Sequence, residues 1–193
     1  MSTENIVLYA IALSSALSIA GLSIAGLLRS DFQFWPPPST PSWQGTTLVS
    51  LFRVFMVCLV VMSFTDFNNA IDASWRFVVG IPLIVIGFGL AILWSSQLGW
   101  RNAYGAAKEL KTDGIFRWSR NPIYVVSIIA IFGWALTVSS WSVSTLLAVW
   151  ALLYVCAPFL EEPWLEKQYG EEFVLYKDRV PRFVGSLRRF SSE

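Results

Sequence analysis

The stretch Asn121–Leu160, NPIYVVSIIAIFGWALTVSSWSVSTLLAVWALLYVCAPFL, runs for forty residues without a formal charge. As one helix it would extend about 60 Å, twice the ~30 Å hydrocarbon layer of a bilayer. It therefore reads as two crossings joined by a tight turn at Ser139-Ser140-Trp141-Ser142. A hairpin of this kind returns the chain to the side it came from. The polar segments before Asn121 and after Leu160 then share one side of the membrane.

Working outward from the hairpin, three further spans precede it. Residues 5–28 carry no charge, residues 46–65 are interrupted only by Arg53, and residues 77–100 are uncharged, with Pro82, Gly87 and Gly89 inside. The first stretch lacks the basic flank of a signal peptide, and its apolar run is longer than a typical h-region, so it reads as a retained span. Small residues four apart in it, Ala16/Ala20 and Gly21/Ala25, would admit a close helix neighbour; a lipid-facing small-residue face is the alternative. Arg53 lies within two turns of the start of the second span, where it either snorkels to the interface or faces a polar cavity. Between the first two spans, Phe34-Trp35-Pro36-Pro37-Pro38-Ser39-Thr40-Pro41 cannot be helical, and its aromatics suit the headgroup layer.

Composition agrees. Of 193 residues, 55% are apolar and 14% charged, against about 25% charged in soluble domains; mean hydropathy is +0.56. The expected fold is all-α, a polytopic membrane protein of about five transmembrane helices. Twelve of the fourteen Lys and Arg then fall on one side, leaving Arg53 in a span and Arg76 opposite. The positive-inside rule makes that side cytoplasmic, with the N-terminus outside and the C-terminus cytoplasmic. Two units are expected: residues 1–100 with three helices and the Pro-rich loop, and residues 101–193 with the polar loop, the hairpin 121–160 and an amphipathic C-terminal segment.

Several chemistries drop out. A net charge of +1 predicts no nucleic-acid partner. The absence of His removes the Ser-His-Asp triad, the usual zinc sites and the His general base. Cys58 and Cys156 lie in apolar runs and read as two buried free thiols, with no metal site expected.

The chemistry concentrates where the hairpin begins and ends. Asn121 reads as an N-cap with Pro122 at the first helical position, so the start of the fourth span presents free amides and a positive dipole end beside Arg120. That suits an anionic group such as a carboxylate; a capped helix with a snorkelling Arg is the alternative. Beyond the fifth span, Glu161-Glu162 place two acids at a helix end the dipole does not favour, and a basic side chain or cationic ligand is expected to compensate them. Leu165, Tyr169, Phe173 and Tyr176 then recur on one helical face, as in an interfacial helix, and Arg179, Arg182, Arg188 and Arg189 would hold it against anionic lipid.

Together these segments resemble the integral-membrane methyltransferases, which comprise the isoprenylcysteine carboxyl methyltransferases and the phospholipid methyltransferases. The resemblance is carried by Leu110…Gly114-Ile115-Phe116…Arg120-Asn121-Pro122-Ile123-Tyr124 before the hairpin. After it come Glu161-Glu162…Leu165…Tyr169-Gly170-Glu171-Glu172-Phe173…Tyr176…Val180-Pro181. Gly87-Phe88-Gly89 looks like the Gly-x-Gly of the phospholipid branch. Asn121 stands where the isoprenylcysteine enzymes carry His, and Glu161-Glu162-Pro163 takes the phospholipid form.

The resemblance implies S-adenosyl-L-methionine as cofactor, bound at the cytoplasmic face, and a lipid or small hydrophobic acceptor entering from the membrane. Lys108, Glu109, Leu110, Lys111, Phe116, Asn121, Pro122, Ile123 and Tyr124 would line the cofactor, with Glu161 and Glu162 closing it. Arg120 and Glu162 would be the pair at the reaction. An NADPH-dependent membrane reductase and a non-catalytic small membrane protein or transporter remain open as alternatives.

Overall fold

The computed structural model describes residues 2–29, 31–38, 42–67, 74–99 and 109–184. The helices are α1 (Thr3–Leu28), α2 (Trp43–Thr65), α3 (Trp75–Leu98), α4 (Pro122–Val138), α5 (Trp141–Tyr169) and α6 (Glu171–Arg179), with one 3₁₀ turn over Gly114–Arg117. No strand occurs among the described residues. By length and composition α1, α2, α3 and α5 can each cross a membrane. α4 is apolar but shorter at 17 residues, about 25 Å. The protein is an integral membrane protein; the five expected spans fall on α1–α5, four of which are long and apolar enough to cross a membrane.

Hydrogen bonds between segments sort the loops onto two ends of the bundle. At one end Thr65 Oγ1 donates to Asn5 Oδ1 (2.7 Å), and Ser140 and Ser142 both donate to Asp66. At the other, Trp35 Nε1 donates to Glu161 Oε1 (2.8 Å), joining the α1–α2 loop to the far end of α5. The α1–α2 loop thus lies at the opposite end of the bundle from the α4–α5 turn.

Packing within the bundle follows small residues and aromatics. α3 lies closest to α4, at three glycines. A Cβ on Gly87 would stand 2.6 Å from the Val126 carbonyl oxygen, and one on Gly133 would stand 2.7 Å from the Gly80 oxygen. Within a bilayer, where lipid tails are as apolar as side chains, such close approach is a main source of helix association. Gly89 has open space around it, so only the first glycine of the Gly-x-Gly triplet is used in packing. α1 packs on α2 through Ala12 and Ala16 against Phe55, Leu59 and Met62. Gly21 points away from the protein, so the close approach uses the Ala12/Ala16 row rather than Gly21/Ala25. At the centre Trp150 meets Phe52, Phe55, Phe88, Trp134 and Tyr154.

Several sequence expectations are corrected. Cys58 is buried but Cys156 is exposed on the outer face of α5. Phe34 is fully buried within the protein rather than at the headgroups. Gly26 permits this, because its bare Cα lets the backbone at Phe32–Phe34 fold back onto α1. Arg53 is exposed on the outer surface of α2, as the snorkelling alternative requires. α5 does not stop at the first acid but continues through Glu161, Glu162 and Pro163 to Tyr169. The expected amphipathic helix is therefore split at Gly170, whose φ of 57° breaks the helix and starts α6.

Candidate functional site

The turn at Gly170 reverses the chain, so α6 packs back beside α5. Phe173, Tyr176 and Val180 form a small core with Leu110, Leu165 and Tyr169. The face read from the sequence is thus real, although two helices and the 110 segment build it. The Tyr176 hydroxyl donates to the Phe116 carbonyl (2.7 Å). Burial pushes this phenol above the ordinary tyrosine range, so it remains a donor.

The chain leaving α6 then runs alongside the approach to α4. The Arg120 amide donates to the Pro181 carbonyl (3.0 Å), and Asn121 Nδ2 donates to the Arg182 carbonyl (3.0 Å). Asn121 occupies the N-cap position of α4, but its side chain makes no cap. It is spent on residue 182 instead, which corrects the capping expectation and leaves the first turn of α4 without a side-chain acceptor.

This stitching delivers two guanidinium groups to one carboxylate. Arg182 forks Glu162, with Nε to Oε1 at 2.7 Å and Nη2 to Oε2 at 2.6 Å. Arg120 Nη2 reaches Oε1 at 2.9 Å, while its Nη1 donates to the Lys177 carbonyl at 2.9 Å. The Arg120 and Glu162 side chains are 8% and 12% exposed, and Arg182 is 32% exposed. The two cations respond differently. Burial pulls the Arg120 guanidinium below its ordinary value against the attraction of Glu162, whereas hydrogen bonding to Glu162 raises the better-solvated Arg182. Arg182, expected to grip lipid, is instead turned inward and stacks over Phe159, its guanidinium carbon 3.9 Å from the ring centroid. Arg188 and Arg189 lie outside the described residues.

Glu161, one position earlier on α5 and so about 100° around the helix, looks elsewhere. Its Oε1 accepts from the Tyr124 hydroxyl at 2.6 Å and from Trp35 Nε1 at 2.8 Å. Tyr124 also lies beside Tyr154, with ring centroids 5.0 Å apart. No cation pairs with Glu161 among the described residues. The compensation expected for the two acids is therefore met by basic side chains at Glu162 and by neutral donors at Glu161.

Of the other residues singled out from the sequence, Leu110 packs in the α6 core, Phe116 is buried with its carbonyl bonded to Tyr176, and Pro122 is buried at the start of α4. Ile123 is half-buried, and Lys111 lies 3.8 Å from an exposed Glu109. Lys108 lies outside the described residues. Sequence reasoning missed Trp35 and the inward role of Arg182. The tryptophan was readable only as an interfacial aromatic, and the arginine only as one of a basic run.

The model of the phospholipid methyltransferase family matches residues 75–172, just over half the chain, spanning α3, the hairpin and both acids. The chain belongs to the phospholipid methyltransferase family. Among known proteins it is 26% identical over 155 residues to a phosphatidylethanolamine N-methyltransferase of Aspergillus fumigatus, covering 70% of this chain and 16% of that one. A protein of the same name from Neosartorya fischeri matches at 26%, covering 70% and 15%. The nickel-cobalt-cadmium resistance protein NccN of Alcaligenes xylosoxydans xylosoxydans is 27% identical over 162 residues, covering 81% of this chain and 73% of its own. The chain thus spans about a sixth of the length of the fungal relatives. No solved structure matches. Of the two branches resembled, the family match is to the phospholipid one.

Proposed function

We propose that the protein is a membrane methyltransferase that uses S-adenosylmethionine to methylate the amine headgroup of a lipid, at the end of the bundle formed by residues 109–121 and 161–184. The carrying observation is the meeting of Arg120 and Glu162, forty-two residues apart and on opposite arms of the hairpin, at 2.9 Å. The fungal relatives' printed name supplies the acceptor class.

The donor set fits the cofactor's chemistry. S-adenosylmethionine brings a carboxylate and cationic groups together. Arg120 Nε is buried without a hydrogen-bond partner, and the first turn of α4 has no side-chain cap; both suit the carboxylate. Glu161, which pairs with no cation among the described residues, suits a positive charge. Arg120, Asn121, Pro122, Ile123 and Tyr124 would hold the cofactor with Leu110, Lys111 and Phe116 behind them. Glu162 positions Arg120 and Arg182, since both its oxygens are already engaged. When bound, the cofactor supplies an electrophilic methyl group. The protein's own part is to orient the acceptor and exclude water, which needs neither a nucleophile nor a histidine. In this reading the 101–193 region carries the cofactor at the cytoplasmic face, and the 1–100 region contributes Trp35 and the lipid-facing wall.

The test is thermal unfolding of the detergent-solubilised protein with S-adenosylhomocysteine or NADPH, followed by label transfer into vesicles containing phosphatidylethanolamine. Stabilisation by the nucleoside thioether, not by NADPH, and labelled lipid are expected. Stabilisation by NADPH alone would assign the chain to the reductases.

A further inference from the structure

We propose that Arg76, at the end of the bundle opposite the proposed methyl-transfer site, binds the phosphate of a phospholipid headgroup. Arg76 is the second residue of α3 and only 3% exposed, and its Nε and Nη1 are both buried without a hydrogen-bond partner. These nitrogens belong to different edges of the planar fork, so neither edge carries a complete bidentate partner. Among the described residues no acid pairs with it. Asp66, beside Phe67, is taken by Ser140 and Ser142. What the guanidinium meets is aromatic: its carbon lies 5.1 Å from the Phe67 ring centroid and 4.7 Å from that of Phe77, two rings that stack on each other. Ring faces attract the charge, but they do not accept its N–H groups as an oxygen does. A buried guanidinium without a counter-charge is strongly disfavoured, so the geometry asks for an anion.

The surroundings favour a headgroup phosphate. Arg76 lies in the first turn of a membrane-crossing helix, at the depth where headgroups lie, and its neighbours Ser74 and Trp75 are both exposed there. Ser74 makes no side-chain cap and the first turn of α3 holds no acid, so the positive end of the helix adds to the charge of Arg76. Arg53 on α2 shows the contrasting case: it is exposed on the outer surface, as an arginine that only snorkels is. Arg76 is turned inward instead. A guanidinium can pair both free oxygens of a phosphodiester at once, and a bilayer presents that group at this depth in every phospholipid. Free phosphate shares the chemistry but lacks the acyl chains that would hold it at the surface of α3. This site involves none of the residues placed around the cofactor and stands independently of the methyl-transfer reading.

The experiment is thermal unfolding of the delipidated full chain in dodecyl maltoside and phosphate-free buffer, titrated with phosphatidylglycerol, with diacylglycerol of the same chains, or with inorganic phosphate. Phosphatidylglycerol is expected to raise the Tm saturably and diacylglycerol to leave it unchanged. Arg76→Gln is expected to weaken the apparent affinity for phosphatidylglycerol about tenfold or more, the equivalent of one lost charge-assisted hydrogen bond. An equal rise with diacylglycerol, or an affinity unchanged in Arg76→Gln, overturns the proposal. A rise with inorganic phosphate that Arg76→Gln abolishes supports the phosphate site and identifies the free ion as sufficient to fill it. Arg76→Lys covers the case in which Arg76→Gln does not fold: it keeps the charge but not the fork, and should weaken the lipid about threefold or more. Full affinity in Arg76→Lys counts against the proposal. Asp72, which lies outside the described residues, supplies the last check. If Asp72→Asn raises the affinity for phosphatidylglycerol by freeing Arg76 from an internal partner, the guanidinium belongs to that acid and the proposal falls.

Discussion

The two ends of the bundle are held by different physics. At the end where α2 meets the α4–α5 turn, one acid and several hydroxyls do the joining: Asp66 accepts from Ser140 and Ser142, and Thr65 donates to Asn5. These are short local bonds that fasten helix ends to one another. At the opposite end a buried carboxylate is gripped by two arginines, while its neighbour meets only a phenol and an indole. The first end uses the Asp66 charge in a self-contained cap. The second brings two arginines and two adjacent acids together, and among the described residues one of those acids pairs with no cation, which is what sets a candidate site apart from a joint.

Substitutions can break that contrast, beginning with the largest effect. Glu162→Ala leaves Arg120 buried without its counter-charge and should cost about 3–5 kcal/mol, read from denaturant or thermal unfolding in detergent. A loss under about 1 kcal/mol would mean the clasp behaves as a surface pair. Asp66→Asn at the other end should cost about 1.5–3 kcal/mol, the range for hydrogen bonds to a charged group. The Asp66 carboxyl feels burial, which raises it, but the bonds from Ser140 and Ser142 outweigh this and hold it below the ordinary value. A depressed carboxyl contributes fully above its unfolded value of about 3.9 and progressively less as pH falls through its folded one. Acid unfolding scans should therefore show a loss below about pH 4, of which Asp66→Asn removes the Asp66 share and leaves that of Glu162, whose carboxylate is likewise held charged by its arginines. Between the two ends, Gly87→Ala forces a methyl against Val126 and should cost about 1–3 kcal/mol. Gly89→Ala, in open space, should change stability by no more than about 0.5 kcal/mol. Trp35→Phe, which removes one of two bonds to Glu161, should lower stability by about 1 kcal/mol.

How much of this was legible in the sequence depends on whether a signal was local. The spans were readable because each depends only on an uninterrupted apolar run, and the bounds fell within a few residues at α1, α2 and α3. The hairpin was readable from its forty uncharged residues, and Arg120, Tyr124 and the two acids from their place at its margins. What periodicity could not show was the break at Gly170. The spacing of Leu165, Tyr169, Phe173 and Tyr176 fits one continuous helix as well as two that fold together. Once that reversal is missed, Arg182 reads as an arginine for lipid. Trp35 was hidden for a related reason, since a loop without periodicity carries no sign of which helix end it will meet. Burial at α5 was also ambiguous: an apolar run does not tell which cysteine faces lipid.

The clasp has an implication for biogenesis. Arg182 is translated after α1–α5, yet it supplies two of the three bonds that neutralise Glu162. Until the ribosome has delivered that residue, an inserted chain holds Glu162 with only Arg120 available to it, and the approach to α4 lacks its partners at Pro181 and Arg182. Completion of the clasp should thus be a late, discrete maturation event, and a nascent chain stalled before Val180 should be threaded through the bilayer yet lack the proposed methyl-transfer activity.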